Sequence, residues 1–277
     1  MKKSRIVPIL LYFVLSSMLI IVWWIFEKRN ISEHRNIATS LSEQVALRMG
    51  DNINHKLSNM DVFRDEWENT PLKSKEKFSE RVEKILNSTG GFHSINYIDI
   101  EGNIVFLSES KGHIWGIQSN MLDTSDQALY DTFSLARKTG DITISSVYEI
   151  SNNRNGYIIF FPIKNDGVIS GYLNCVLSVD KIVNYCLSRG SFKEYVFYID
   201  DLQNEIYSSI KTEQIISSEI LGSYAVPVFN RFWTVYVALT PWAVKELLSL
   251  SSKIILIFGL LVIFWISWTV KNFLELK

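Results

Sequence analysis

Few side chains in this 277-residue chain have the types and spacing that reactions need. The four histidines, His34, His55, His93 and His113, stand apart, with no H-E-x-x-H or C-x-x-C frame around them. There is no G-x-S-x-G elbow, no phosphate-cradling glycine loop, and no kinase or cyclase signature. His93 and His113 could meet at one end of a sheet, but structural or surface roles are the plainer reading. No catalytic residue, metal or cofactor is expected, and the chain does not read as an enzyme. What it offers instead is aromatic and amide chemistry on strand-like segments: Tyr97, Asp99, Trp115, Tyr148, Tyr157, Tyr172 and Asn174. A small-molecule site has mostly apolar walls and a few placed polar groups, and these seven side chains could supply them. The competing reading of each is core or cover. Asp200-Asp201, after another strand-like run, reads as turn chemistry.

The stretch Gln127–Val183 must position most of these residues. It opens on a helical pattern in which Ala128, Leu129, Phe133, Leu135 and Ala136 are apolar. Arg137 and Lys138 followed by Gly140 form a helix end, with cations in the last turn and then a residue tolerant of positive φ. Strand-like runs follow at Ile142–Ile150, Tyr157–Ile163 and Val168–Val179, separated by Asn/Gly-rich and Asn-Asp-Gly turns. Asp180 is expected to cap a second helix, Lys181–Leu187. Strand alternation puts Tyr157, Ile159 and Phe161 on one face and Ile158 and Phe160 on the other. It likewise groups Tyr172, Asn174 and Val176 against Leu173, Cys175 and Leu177. Gly140, Gly156 and Gly171 are expected at element boundaries. A helix, an antiparallel meander and a second helix make the second half of a PAS-like fold.

Several motifs in order resemble the CHASE and Cache group of extracytoplasmic sensor domains. They are A-R-K-T-G (Ala136–Gly140), G-Y-I-I-F-F-P-I (Gly156–Ile163) and G-Y-L-N-C-V-L-S-V-D-K-I (Gly171–Ile182). Upstream, I-N-Y-I-D-I-E-G-N-I-V (Ile95–Val105) resembles the opening strand–turn–strand, and G-I-Q-S-N-M-L (Gly116–Leu122) the link into the helix. Downstream, R-F-W-T-V-Y-V-A-L-T-P (Arg231–Pro241) is similar to the closing strand. The resemblance covers most of residues 92 to 245 and sits best on CHASE. It implies that a small ligand binds the membrane-distal module. It also implies that the change passes through the membrane to a cytoplasmic kinase or nucleotide cyclase.

Composition fits that picture. The net charge of −1 implies no polyanion, hence no nucleic-acid partner. Ile6–Phe26 carries no formal charge and is long enough to cross a bilayer core of about 30 Å. A cleaved signal peptide is the rival, but Trp23-Trp24-Ile25-Phe26 runs straight into Glu27-Lys28-Arg29 with no small-x-small site. Ile254–Val270 is a second span, and Trp23, Trp24, Trp242, Trp265 and Trp268 stand at interface positions. Cys175 and Cys186 fall in the exported part, where a disulfide is permitted, although two buried thiols suit their strand and helix positions better.

Taken in order, the expected fold is α+β: two transmembrane helices flanking a long extracytoplasmic helix and a PAS-like antiparallel-sheet sensor. Residues 1–5 form a cytoplasmic tail, 6–26 the first span and 27–70 the long helix. Residues 71–190 form a membrane-distal sensor module, 191–245 a smaller membrane-proximal β module, 247–270 the second span and 271–277 a cytoplasmic tail. With so short a tail, the expectation is that another chain carries the output or that the gene is a split or truncated receptor. In the long helix Ile37, Leu41, Val45, Met49, Ile53 and Leu57 recur every four residues, a stripe that winds around the helix and could face both its own domain and a partner helix, or belong to a single amphipathic helix lying on its own domain. The expectation is therefore a two-pass inner (plasma) membrane receptor, a homodimer or a dimer with a longer relative through the Asn30–Asp61 helix, that binds a small ligand between the distal sheet and the segment Ser108–Asp126. The alternative is a membrane-tethered structural or assembly factor that binds an extracytoplasmic protein.

Overall fold

The structure is a computed structural model that describes residues 3–69, 74–89, 91–108, 119–151, 154–188, 192–202, 204–210, 220–247 and 250–275. Its first element, α1, is an unbroken helix over Lys3–Asn69. At 1.5 Å per residue its 67 residues span about 100 Å. The apolar stripe expected from sequence is largely buried: Val45, Met49 and Ile53 are core residues, whereas Ile37 faces solvent. Beside it runs a row of small residues at the same four-residue spacing. Ala38, Ser42, Ala46 and Gly50 are all buried, and they let a sheet approach the helix closely.

Helix α2 (Lys75–Thr89) packs back against α1, held by the Arg81 guanidinium, which donates to both carboxylate oxygens of Glu66. Strands β1 (Phe92–Asp99) and β2 (Ile104–Leu107) follow, then helix α3 (Gln127–Thr139), β3 (Thr143–Ile144), β4 (Tyr148–Ser151), β5 (Arg154–Asn165) and β6 (Val168–Ser178). They form a six-stranded sheet in the order β2-β1-β6-β5-β3, with β4 also on β5. All its pairings are antiparallel. The β5–β6 hairpin turns on Asp166 and Gly167, both at positive φ, the conformation a tight two-residue turn needs. Helix α3 has the ends its sequence predicts: the Asp126 carboxylate accepts from Leu129 N at 2.9 Å, and Gly140 closes the helix at φ 68°.

Three local expectations are corrected. The run Ile142–Ile150 is not one strand but two, because Ser145 interrupts it. Its backbone N–H still donates to Ile158 O, but its hydroxyl, not its carbonyl, accepts from Ile158 N at 3.0 Å. The side chain has taken the ladder's acceptor role, so the strand breaks there. Helix α4 (Val179–Leu187) is capped by Ser178, whose hydroxyl accepts from Lys181 N, and Asp180 sits in its first turn. Gly156 and Gly171 lie inside β5 and β6 rather than at boundaries. A side chain at Gly156 would run into Ile150 and the Leu177 carbonyl, and one at Gly171 into the Tyr97 hydroxyl and the Ile98 carbonyl.

The second sheet is four-stranded, in the order β8-β7-β10-β9, from β7 (Tyr195–Asp201), β8 (Asn204–Ser208), β9 (Ile220–Val228) and β10 (Arg231–Leu239). Helix α5 (Pro241–Leu247) leads to α6 (Leu250–Glu275). Both α1 and α6 contain segments long and apolar enough to cross a membrane. They pack on each other there: a Cβ at Gly259 would lie 2.7 Å from Leu19 Cδ2.

One core cluster joins α1, α2 and α4 to one face of the first sheet and to the second sheet. A second, smaller cluster lies between the other face of the first sheet and α3. The protein is thus α+β, with antiparallel sheets strung along a helix that is continuous with its first apolar segment.

Candidate functional site

The two faces of the first sheet divide the predicted site residues, and the alternation expected along β5 and β6 sets the division. Tyr157 and Tyr97 belong to the cluster on the α1 side. Tyr97 stacks with Trp67 (4.8 Å between ring centroids) and Phe106 (5.8 Å). Tyr157 stacks on Trp233 at 5.3 Å and donates its hydroxyl to Asp201 Oδ2 at 2.8 Å, at the junction of the two sheets. Burial and that hydrogen bond push its phenol far above the usual range. Asp99 is used locally: its carboxylate accepts from Asn103 N at 2.7 Å and Asn103 Nδ2 at 3.0 Å, fixing the β1–β2 turn.

Tyr148, Tyr172 and Asn174 share the face toward α3. Tyr172 is buried in edge contact with Phe133 of α3 at 5.0 Å. Burial raises its phenol, opposed by the nearby Arg137. Tyr148 is also raised by burial, with the Asp126 carboxylate adding to the shift. This places Tyr148 near the first turn of α3. Trp115, with His113 and residues 109–118 of the proposed covering segment, lies outside the described residues. The described end of that segment is anchored to the β1–β2 turn. Ile104 N donates to Ser119 O, Met121 N to Gly102 O, and Asn120 Nδ2 to Asn103 Oδ1.

The most telling pair on this face is Asn96 with Asn174. Sequence reasoning singles out only the second. They are direct cross-strand partners on β1 and β6. Both are buried, and Asn96 Nδ2 donates to Asn174 Oδ1 at 3.0 Å. Asn96 Oδ1 and Asn174 Nδ2 are buried without a partner among the described residues. Turning both amides over exchanges the roles but still leaves one acceptor and one donor unmatched. Their surroundings are apolar: Leu107 stands beside Asn96, and Phe160 beside Asn174. Each unmatched buried group costs about 1–3 kcal/mol, so the arrangement asks for a small molecule, or an ordered water, that presents a donor and an acceptor side by side. The signal readable from sequence would have been the alternation that puts Asn96 and Asn174 on the α3 face, but their cross-strand register is set only by folding. None of the six described candidates lines the cavity of about 800 Å³ that lies between α1, α2 and α4.

No model of a known protein family matches the chain, and neither does any curated protein sequence. Solved structures do. The chain is similar to an extracellular ligand binding receptor from Desulfohalobium retbaense, with TM-score 0.51 and 12% identity, over 70% of this chain and 39% of that one. It therefore spans about two fifths of that receptor. It is similar to the ligand-binding domain of the Campylobacter jejuni chemoreceptor Tlp3, a complex with L-valine, with TM-score 0.51 and 14% identity over 79% of this chain and 97% of that one. The extracellular domain of the histidine kinase vpHK1S-Z8 aligns with TM-score 0.55 and 11% identity over 79% and 95%. The fold is that of an extracellular ligand-binding sensor domain. The expected α+β sensor-type fold is met as a fold, and these neighbours are sensory rather than catalytic domains.

Proposed function

We propose that this chain is a two-pass sensor of the inner (plasma) membrane, with both ends cytoplasmic and the two sheets outside. Its small ligand binds on the α3 face of the first sheet, against Asn96 and Asn174. The signal passes along α1 and α6 to a cytoplasmic kinase or cyclase partner. The half-satisfied amide pair carries this reading: an otherwise apolar face keeps one donor and one acceptor that nothing among the described residues uses. An amino acid suits such a pair, because its ammonium donates where its carboxylate accepts. The L-valine complex of the similar Tlp3 domain supports that ligand class. Tyr148, Tyr172 and Trp115 remain proposed wall residues. Tyr97, Asp99 and Tyr157 take supporting places, since the contacts described above already engage them.

The test is thermal unfolding of the full chain in lipid nanodiscs against the common L-amino acids. A true ligand at a hundred times its dissociation constant stabilises the protein by about 2.7 kcal/mol. The double variant Asn96→Val/Asn174→Leu is expected to keep or raise the stability of the ligand-free protein, because it removes both unmatched groups together. It should lose the ligand-induced shift. A shift that survives the double variant puts the site elsewhere, and a panel without any hit counts against an amino-acid ligand.

A homodimer completes the proposal. Ile37, Leu47 and Val62 of α1 are exposed at 41%, 46% and 53%. At about 100° per residue they fall within roughly 80° of one another around the helix, on a face its own sheets leave open. Leu47→Cys is expected to cross-link to a second copy in membranes under mild oxidant, whereas Thr39→Cys, exposed but turned about 80° away from Leu47 and outside that arc, cross-links less. Cys175 need not be removed: it is buried, and burial raises its thiol well above the ordinary range. Equal, weak cross-linking at both positions would argue for a monomer.

A further inference from the structure

The cavity of about 800 Å³ lies on the opposite side of the first sheet from the asparagine pair, walled by α1, α2, α4 and the start of β1. Its lining mixes apolar side chains, among them Val82, Leu86 and Phe92, with polar ones. Lys56 of α1, Lys181 of α4 and His93 of β1 face it, against one carboxylate, Glu83. Lys56 is buried, which is unusual for a lysine. The backbone makes room for it: Gly91 sits at φ +96°, and a Cβ there would come within 2.6 Å of Lys56 Cε. Two further lining side chains, Ser79 and Asn52, each hold a buried polar atom with no partner among the described residues, Ser79 Oγ and Asn52 Oδ1. A hydroxyl can donate, and an amide can turn to present its N–H. Lys181 is tethered at the rim, where its ammonium donates to Phe92 O at 2.9 Å.

We propose that this cavity is a second ligand site, for a small metabolite presenting carboxylate or phosphate oxygens to Lys56 and Ser79. The site is separate from the amide pair and does not depend on what binds there. Burial lowers the Lys56 ammonium to about 8, with Cys186 the weaker, opposing influence. A buried cation of this kind is stabilised when an anion joins it. Lys56 stands on the helix that continues from the first apolar segment, about 45 Å along it from Phe26. An anion here would bear directly on that helix, and the walls it draws together belong to α1, α2 and α4. The molecule would then read two chemistries, one on each side of the same sheet.

The experiment uses the full chain in nanodiscs, in a chloride buffer free of oxyanions, titrated with sodium acetate or inorganic phosphate at matched ionic strength. Two signals are followed: the unfolding midpoint, and the rate at which a lysine reagent modifies Lys56 relative to exposed Lys84. An anion at ten times its dissociation constant is expected to slow Lys56 modification about tenfold and leave Lys84 unchanged. It should also raise the midpoint. Lys56→Met loses the shift in midpoint, and Asn96→Val/Asn174→Leu keeps it. Protection by acetate alone assigns carboxylates, and by phosphate alone assigns phosphates. If neither anion slows Lys56 modification, or if the shift persists in Lys56→Met, the proposal is overturned. Should Lys56→Met fail to fold, the modification rates of the unaltered chain decide the question by themselves.

Discussion

Asp201→Ala is expected to destabilise the protein by about 3 kcal/mol, a loss measurable by thermal or denaturant unfolding in nanodiscs. Asp201 lies at the end of β7, and its side chain is only 2% exposed. Its Oδ2 accepts from Arg231 Nη1 at 2.9 Å and from the Tyr157 hydroxyl at 2.8 Å. Tyr157 belongs to the first sheet, Asp201 and Arg231 to the second, so this carboxylate ties the two sheets together. Breaking a buried ion pair from one side costs about 3–5 kcal/mol. The lower end applies because the Arg231 side chain is 21% exposed and can find water. The phenol of Tyr157 would also be left buried without its acceptor. Tyr157→Phe should cost less, about 1 kcal/mol, because the carboxylate keeps its guanidinium partner. The double variant Asp201→Leu/Arg231→Met should recover much of the loss, as apolar groups of similar size often replace a buried pair at little cost. The fluorescence of Trp233, stacked on Tyr157 at 5.3 Å, reports the junction itself. An Asp201→Ala protein within 0.5 kcal/mol of the parent would show that the sheets are held by apolar packing alone.

This carboxylate also marks where sequence reasoning ends. Asp200-Asp201 after a strand reads as turn chemistry, yet both residues lie in β7, and Asp201 finds partners 44 and 30 positions away. Nothing local points to either one. The β5–β6 hairpin, by contrast, is legible because its evidence is local: alternating apolar residues on both sides of Asp166-Gly167, with a turn that the two residues favour. The same holds for α3, whose Asp126 cap and Gly140 end lie within a few residues of the pattern they bound. The two apolar segments are legible by length alone. Burial on one face of β5 as against the other is legible too, but not which face meets α1. That choice sends Tyr157 to the sheet junction and Asn174 to the α3 side. Asn96 escapes notice because its importance comes from register with Asn174. Lys56 escapes because a lysine on a helix reads as solvated unless the walls around it are known. The row Ala38, Ser42, Ala46, Gly50 is invisible to hydropathy, since small residues bury little surface and signal close approach only once the sheet is in place.

That row gives the other large expected effect. Gly222→Ala should destabilise the protein by about 2–3 kcal/mol, while Ser223→Ala on the exposed side of the same strand stays within about 0.5 kcal/mol. Gly222 lies on β9, opposite Val237 of β10. A Cβ built on it would stand 2.5 Å from Thr39 N and 2.6 Å from Ala38 C. These are backbone atoms of α1, so no side chain can swing away to make room. An ordinary carbon contact is about 3.5–4.0 Å, which means the helix and the sheet must separate by about 1 Å. Ala38 is buried in this seam, and further along it a Cβ at Gly50 would meet Val226 Cγ2 at 2.8 Å. The contact therefore runs between successive small residues of α1 and one strand of the second sheet. It is also the place where the second sheet grips the helix nearest to the first apolar segment, so a displacement there moves that segment relative to the sheets. In Gly222→Ala, amide hydrogen exchange is expected to rise in β9 and in α1 around Ala38, with α3 and the β5–β6 hairpin unchanged. The ligand shift proposed for the asparagine pair should survive, since that face lies on the other sheet. Exchange that rises equally across both sheets would mean the substitution unfolds the whole domain rather than loosening this seam. Unchanged stability would mean that α1 and β9 slide past the added methyl, and that the helix is not held by the second sheet in the way its close backbone approach implies.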